Sequence, residues 1–285
     1  MKHLKLIFIT FLSISIFVSC SSDDTVNIDP ETLSPLEAYE EFDIAYGSDS
    51  EQVFDLYLPP NRNSDTKIII LVHGGGWTSG DKTDMADIAE IIKLQLPNYA
   101  IANINYRLAD EDNFAYPMQI NDITSVVDYL ENNQDIYTIS DDIGFIGASA
   151  GAHLSMLWSY AFDTESQVDM VCSIVGPTNF TDPAYLDNPV FQELSSAFGI
   201  TLTIDFLEEM SPYHRVTSSA PPTILFYGGE DPLIPSSQGM DMSDILQELN
   251  VTHEFNFYPS EGHGWGGANW IDSVIRLKGF IETHM

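Results

Sequence analysis

From residue 41 onward the apolar and polar positions divide the chain into a series of short strands and helices. Phe42-Asp43-Ile44-Ala45-Tyr46 alternates, turns at Gly47-Ser48-Asp49, and is followed by a second alternating run from Gln52 to Leu58 that stops at Pro59-Pro60. That pattern predicts an antiparallel hairpin at a sheet edge. Lys67 to Val72 is instead a continuous, mostly β-branched run, as a strand covered on both faces requires.

Helical and strand periods then alternate. Asp84 to Leu96 has helical spacing, Ala100 to Tyr106 reads as a strand, and Pro117 opens a helix over Met118 to Asn132. A strand from Ile143 ends at Ser149 and leads into a helix through Ala161. Strands follow at Val168 to Val175, Pro222 to Gly228 and His253 to Tyr258, with helices at Ser236 to Leu249 and Trp270 to Glu282. The expectation is an α/β fold: a mostly parallel central sheet, an antiparallel N-terminal edge hairpin and helices on both faces. A site in such a sheet lies beyond the carboxyl ends of its strands. The alternation breaks over residues 176–220, where Phe180, Tyr185, Phe191, Phe198, Phe206 and Tyr213 accumulate. A long aromatic insertion at a strand end predicts a short cap over the site; the competing reading is a helical excursion packed beside the sheet.

The first nineteen residues are organised differently. Lys2 and Lys5 precede an apolar run from Leu6 to Val18, the layout of a secretory signal and too short for a persistent membrane span. Phe17-Val18-Ser19-Cys20 resembles the lipobox of exported bacterial lipoproteins, with Phe17 where Leu is usual, and implies lipidation of Cys20. An ordinary signal peptide with an incidental cysteine is the alternative. The expected organisation is a lipoprotein signal over 1–19, a lipidated cysteine and polar tether over 20–37, and one α/β domain over 38–285. The address implied is the outer membrane or cell surface, with the periplasmic face also open, and membrane contact only through the anchor.

Composition narrows the partners. The 285 residues carry 10 Lys and Arg against 43 Asp and Glu, a formal charge of −33, so phosphate-binding surfaces for nucleic acid or anionic lipid are not available. Neutral or cationic substrates suit such a chain better. There are only 2 cysteines, Cys20 and Cys172, so with Cys20 lipidated no disulfide can form. Cys172 sits in an apolar run and reads as a buried structural thiol.

The candidate chemistry centres on Gly147-Ala148-Ser149-Ala150-Gly151, at the predicted strand-to-helix turn. Alone, Gly-x-Ser-x-Gly could be merely a glycine-rich turn; a nucleophilic serine needs a base, an orienting acid and donors for the oxyanion. His263 lies between glycines directly after the last strand and is the candidate base. Asp231, in Gly228-Gly229-Glu230-Asp231-Pro232-Leu233, is the candidate acid, with Glu230 and then Glu261 as alternatives. The order Ser, Asp, His is that of α/β-hydrolases. Ala150 offers its amide from a helix N-terminus, and His73-Gly74-Gly75-Gly76 can turn bare backbone toward the same oxygen.

Taken with Trp77, Gly80-Asp81-Lys82, Asn105-Tyr106-Arg107-Leu108-Ala109 and His153, these motifs resemble the α/β-hydrolase superfamily over about residues 41–285. They are most similar to its bacterial carboxylesterase branch, related to hormone-sensitive lipase and to feruloyl-esterase-like (BD-FAE) proteins. The resemblance implies Ser149, Asp231 and His263 as triad and Gly75, Gly76 and Ala150 as oxyanion donors. Ala148 and Asp110 depart from the hormone-sensitive-lipase pattern. The implied activity is hydrolysis of short acyl esters, acetyl or feruloyl in type and carried by a small molecule or a polysaccharide, without metal or cofactor. The alternatives are an arylformamidase-like amide hydrolase, a serine peptidase, and a non-catalytic binding protein on the same fold.

Overall fold

A computed structural model describes residues 33–199 and 202–285. The signal-like segment and Cys20 lie outside the described residues.

Eight strands form one sheet: β1 (Tyr39–Ala45), β2 (Val53–Leu58), β3 (Ile68–Val72), β4 (Ala100–Ile104), β5 (Ile143–Ala148), β6 (Val168–Ile174), β7 (Thr223–Gly228) and β8 (His253–Tyr258). Their spatial order is β1-β2-β4-β3-β5-β6-β7-β8. The hairpin β1-β2 is antiparallel and β2 also runs antiparallel to β4, whereas all remaining neighbours are parallel. The edge hairpin and the parallel body expected from the hydrophobic pattern are both present.

Helices occupy both faces because the central strands are apolar on both. On β3, Ile68, Ile70 and Val72 join one core with α2 (Ala115–Asn132), α4 (Ala150–Ala161) and α9 (Ser237–Glu248). Ile69 and Leu71 point the other way, into a smaller core with α1 (Ala86–Gln95) and α10 (Gly267–His284). Cys172 belongs to that second core; it is buried, and burial pushes its thiol pKa up, as a structural thiol requires.

Several elements differ from the expectation: α2 begins at Ala115 rather than after Pro117, and β4 ends at Ile104 rather than Tyr106. Asp84 does not start a long helix: Lys82–Met85 is a 3-10 turn in which Asp81 and Asp84 form a reciprocal capping box, and α1 begins only at Ala86. The helix expected from Trp270 begins at Gly267. A four-residue helix, α3 (Gln134–Tyr137), has too little length to show a period.

The strand order reverses between β3 and β5. The chain leaves β3 for β4 on one side and returns to β5 on the other, so the loops after β3 and β5 diverge from adjacent strands. Val72 and Gly147 are register partners there, which brings the His73–Trp77 loop against Ser149 at the switch point of the sheet. The 176–220 segment folds as short helices α5 (Pro183–Leu186), α6 (Pro189–Leu194), α7 (Ile204–Glu209) and α8 (Pro212–Arg215).

Candidate active site

Ser149 occupies the turn between β5 and α4 with φ 52° and ψ −118°, a left-handed conformation strained for a residue with a Cβ. The flanking glycines are sterically required. A β-carbon on Gly147 would overlap the backbone of Gly151, and one on Gly151 would overlap the carbonyl oxygens of Val72 and His73. The strain therefore persists because two strands and a helix meet with no room for another arrangement.

His263 follows β8 in a tight loop, and Asp231 follows β7. His263 Nδ1 lies 2.8 Å from Asp231 Oδ2, and His263 Nε2 lies 2.9 Å from Ser149 Oγ. A carboxylate only accepts, so Nδ1–H donates to Asp231 and Nε2 is left to accept from the serine hydroxyl. The Asp231 side chain is 1% exposed, and its second oxygen accepts from the amides of Leu233 at 2.8 Å and Ile234 at 3.0 Å. That turn fixes the carboxylate. Glu230 is exposed on the same loop, and Glu261 instead accepts from Asn269 Nδ2 at 2.6 Å, so neither alternative acid reaches the histidine.

The two loops carrying Asp231 and His263 are themselves joined through backbone. Gly229 N donates to Tyr258 O at 2.9 Å and Glu230 N to Glu261 O at 2.8 Å. A β-carbon on Gly228 or Gly229 would overlap the opposite loop.

The glycine loop after β3 is held from below and from the side. Gly75 has φ 111° and its carbonyl accepts from Ser79 N at 3.0 Å and Ser79 Oγ at 2.8 Å. His73 stacks on Tyr106 with ring centroids 4.2 Å apart, and Tyr106 Oη donates to His73 O at 2.9 Å. Asn105 receives the Lys82 amide at 2.6 Å and donates to Asp81 Oδ2 at 2.9 Å. The Asn105-Tyr106-Arg107 motif is thus a buttress for the glycine loop. Arg107 completes it by pairing with Asp122, which is fully buried on α2, at 2.6 Å. The amides of Gly75, Gly76 and Ala150 donate to no other protein group among the described residues. Gly75 and Gly76 line the cavity that Ser149 and His263 open into, and Ala150 begins α4 directly behind the serine.

That cavity measures about 560 Å³. Its floor is the glycine loop, Ser149 and His263; Tyr185, Val190, Phe191 and Leu194 of the 176–220 segment form a wall, with Leu233 and Ile234 of the acid loop. The segment therefore contributes to the site, as a cap would. Asn188 pins it there: Oδ1 caps α6 through Val190 N at 2.9 Å, while Nδ2 donates to the carbonyls of Pro232 at 3.2 Å and Leu233 at 3.3 Å.

His153, expected along the helix after the serine, turns inward. Trp77 Nε1 donates to its Nδ1 at 3.1 Å and its Nε2 donates to Met210 O at 2.8 Å, so one imidazole joins the glycine loop, α4 and the cap segment. Complete burial lowers its pKa to about 4, and it stays neutral near pH 7. Neither Asn188 nor His153 carries a sequence signal of this role; both depend on contacts far away in the chain.

A model of the BD-FAE family matches residues 54–246, more than half of the chain. The chain belongs to the BD-FAE family. The matched stretch spans the glycine loop, the serine turn, the cap segment and Asp231, and stops before His263. Esterase LipC of Mycobacterium tuberculosis is 26% identical to this BD-FAE chain over 244 residues, covering 78% of it and 59% of LipC. The chain spans about half the length of several curated relatives it matches, from 50% to 59%. Among solved structures, a truncated carbohydrate esterase from gut microbiota superposes with TM-score 0.73 at 20% identity, covering 87% of this chain and 98% of that one. Esterase B from Lactobacillus rhamnosis gives TM-score 0.66 at 19% identity, over 87% and 86% of the two chains. With the sheet topology, these likenesses give the BD-FAE chain the α/β-hydrolase fold.

Proposed function

We propose that this protein is a serine carboxylic-ester hydrolase with Ser149 as nucleophile, His263 as general base and Asp231 as the orienting acid. The observation that carries the reading is the unbroken line Asp231 Oδ2, His263 Nδ1, His263 Nε2, Ser149 Oγ, with links of 2.8 and 2.9 Å, opening onto one cavity.

His263 Nε2 takes the Ser149 proton as Oγ attacks the ester carbonyl carbon. The carbonyl oxygen, now negative, accepts from the free amides of Gly75, Gly76 and Ala150, with the α4 dipole adding to the attraction. Losing one such donor typically costs about 3–4 kcal/mol of transition-state stabilisation. Asp231 offsets the imidazolium charge that appears on His263. The imidazolium then gives its proton to the leaving alkoxide, and a water activated by the same nitrogen releases the acid from the acyl-serine.

The substrates proposed are short acyl esters, acetyl or feruloyl in type, borne by carbohydrate. Membership of the BD-FAE family and the likeness to a carbohydrate esterase support this, as does a cavity of a size suited to a small acyl group and part of a sugar. The surplus of acidic residues supports a neutral substrate rather than an anionic one. An N-terminal lipid on Cys20, holding the enzyme at the outer membrane or cell surface, is proposed from the sequence alone.

The test is hydrolysis of 4-nitrophenyl acetate and of acetylated xylan by the wild type and by Ser149→Ala. The reading expects a loss of at least about 10³-fold on both substrates. Activity of the variant within tenfold of wild type would sink it.

A further inference from the structure

Tyr185 stands out among the buried tyrosines. Tyr106 donates to His73 O at 2.9 Å, Tyr227 to Gly176 O at 2.5 Å, and Tyr258 to Asp272 Oδ2 at 2.9 Å. Tyr185 is 1% exposed, yet its hydroxyl meets no hydrogen-bond partner among the described residues. Burying a hydroxyl without a partner is unfavourable, so an unpaired one kept beside a cavity calls for an explanation.

The hydroxyl is not sealed in. The unpaired side-chain atoms closed off from solvent among the described residues belong to Arg62, His73, Asn103 and Gln119, and Tyr185 is not one of them. The surface Tyr185 touches is the cavity it lines together with Ser149 and His263. Its ring is fixed by Phe191, with centroids 4.4 Å apart, and by Phe180 at 5.6 Å. The phenol thus has a defined direction and little rotamer freedom to lose on binding. Burial, then the negative charge of Asp231, raises its pKa, so the group is a hydrogen-bond donor at any physiological pH.

Tyr185 O accepts from Asn188 N at 3.1 Å, and Asn188 Nδ2 donates to the carbonyls of Pro232 and Leu233, so α5 sits against the acid loop, on the acid-and-base side of the cavity. The scissile carbonyl oxygen belongs on the other side, against Gly75 and Gly76, while the leaving oxygen must face His263 Nε2 to receive its proton. The alcohol part of a bound ester therefore extends toward α5, away from the Gly76 end of the cavity where Leu194 of α6 packs.

We propose that the Tyr185 hydroxyl binds the leaving alcohol, donating a hydrogen bond to one of its oxygens, and that it selects polyhydroxylated alcohols such as sugars over alkyl alcohols of equal size. This rests on the ester-hydrolase reading of the same site. A sugar hydroxyl or ring oxygen supplies the acceptor that the fold does not, whereas an alkyl alcohol leaves the phenol unpaired.

Tyr185→Phe keeps the ring packing and removes only the oxygen. The measurement is kcat/KM for methyl glucoside 6-acetate and for cyclohexylmethyl acetate, which share the acyl group and differ in oxygens on the alcohol. The ratio of the first to the second should fall about 2- to 12-fold, the worth of one neutral hydrogen bond. In single-turnover experiments acylation by the sugar ester should slow by the same factor and release of acetate from the acetyl-enzyme by less, because the alcohol has already departed. A ratio that falls less than twofold, or deacylation that slows as much as acylation, overturns the proposal. Failure of the ester-hydrolase reading looks different: Ser149→Ala would keep its activity whatever happens at Tyr185.

Discussion

His153 makes the interior of this protein sensitive to acid in a way that can be calculated. In the folded chain its pKa is lowered to about 4, because the ring is completely buried between Trp77 and Met210. In the unfolded chain an exposed histidine titrates near 6.5. The unfolded state therefore takes up a proton first as the pH falls, and the folded state loses relative stability from about pH 6.5 down to about pH 4. Above pH 6.5 the contribution is fully present. Between pH 7 and pH 4.5 the two titration curves give a loss of about 2 kcal/mol from this one group. Urea unfolding of wild type and His153→Gln at both pH values isolates it, since the other histidines and the carboxylates titrate alike in the two proteins. The variant is less stable at pH 7, by about 1–3 kcal/mol for each buried partner it leaves unpaired. Its further loss on going to pH 4.5 should be about 2 kcal/mol smaller than that of wild type. Equal losses in both proteins would refute the reasoning.

Two further substitutions address the geometry of the serine site. Asp231→Asn keeps the shape of the acid loop but no longer enforces the tautomer that leaves Nε2 free, so kcat should fall about 10⁴-fold, while Glu230→Gln on the exposed neighbour stays within twofold of wild type in the same ester assay. Gly151→Ala drives a methyl group into the carbonyls of Val72 and His73; thermal unfolding should show a loss of about 1–3 kcal/mol or more, and ester turnover should fall with it because the serine turn must shift.

Most of the sheet, and the Ser149, His263 and Asp231 cluster that the fold brings together, are legible in the sequence, and for local reasons. Strands such as Ile68–Val72 carry their burial on both faces in an unbroken apolar run; Asp231 stands out because it follows such a strand, and His263 because it follows the alternating edge strand β8. The capping box of Asp81 and Asp84 is masked in the sequence by helical spacing that runs on through it. The 176–220 segment that walls the cavity is legible only as an aromatic interruption. Its helices are four to six residues long, too short for any period, and their positions are set by distant contacts such as Asn188 with Pro232 and Leu233. The inward turn of His153 was hidden for a different reason. Ten residues of α4 are buried, so the helix has no polar stripe to show which way each side chain faces.

The central claim is that Ser149, activated by His263 and Asp231, is the nucleophile. The most direct measurement is reaction of the protein with a fluorophosphonate probe, followed by peptide mapping by mass spectrometry. The account predicts a single adduct on Ser149, abolished in Ser149→Ala and strongly slowed in His263→Ala. An adduct on another residue, no adduct at all, or equal labelling of Ser149→Ala would contradict it.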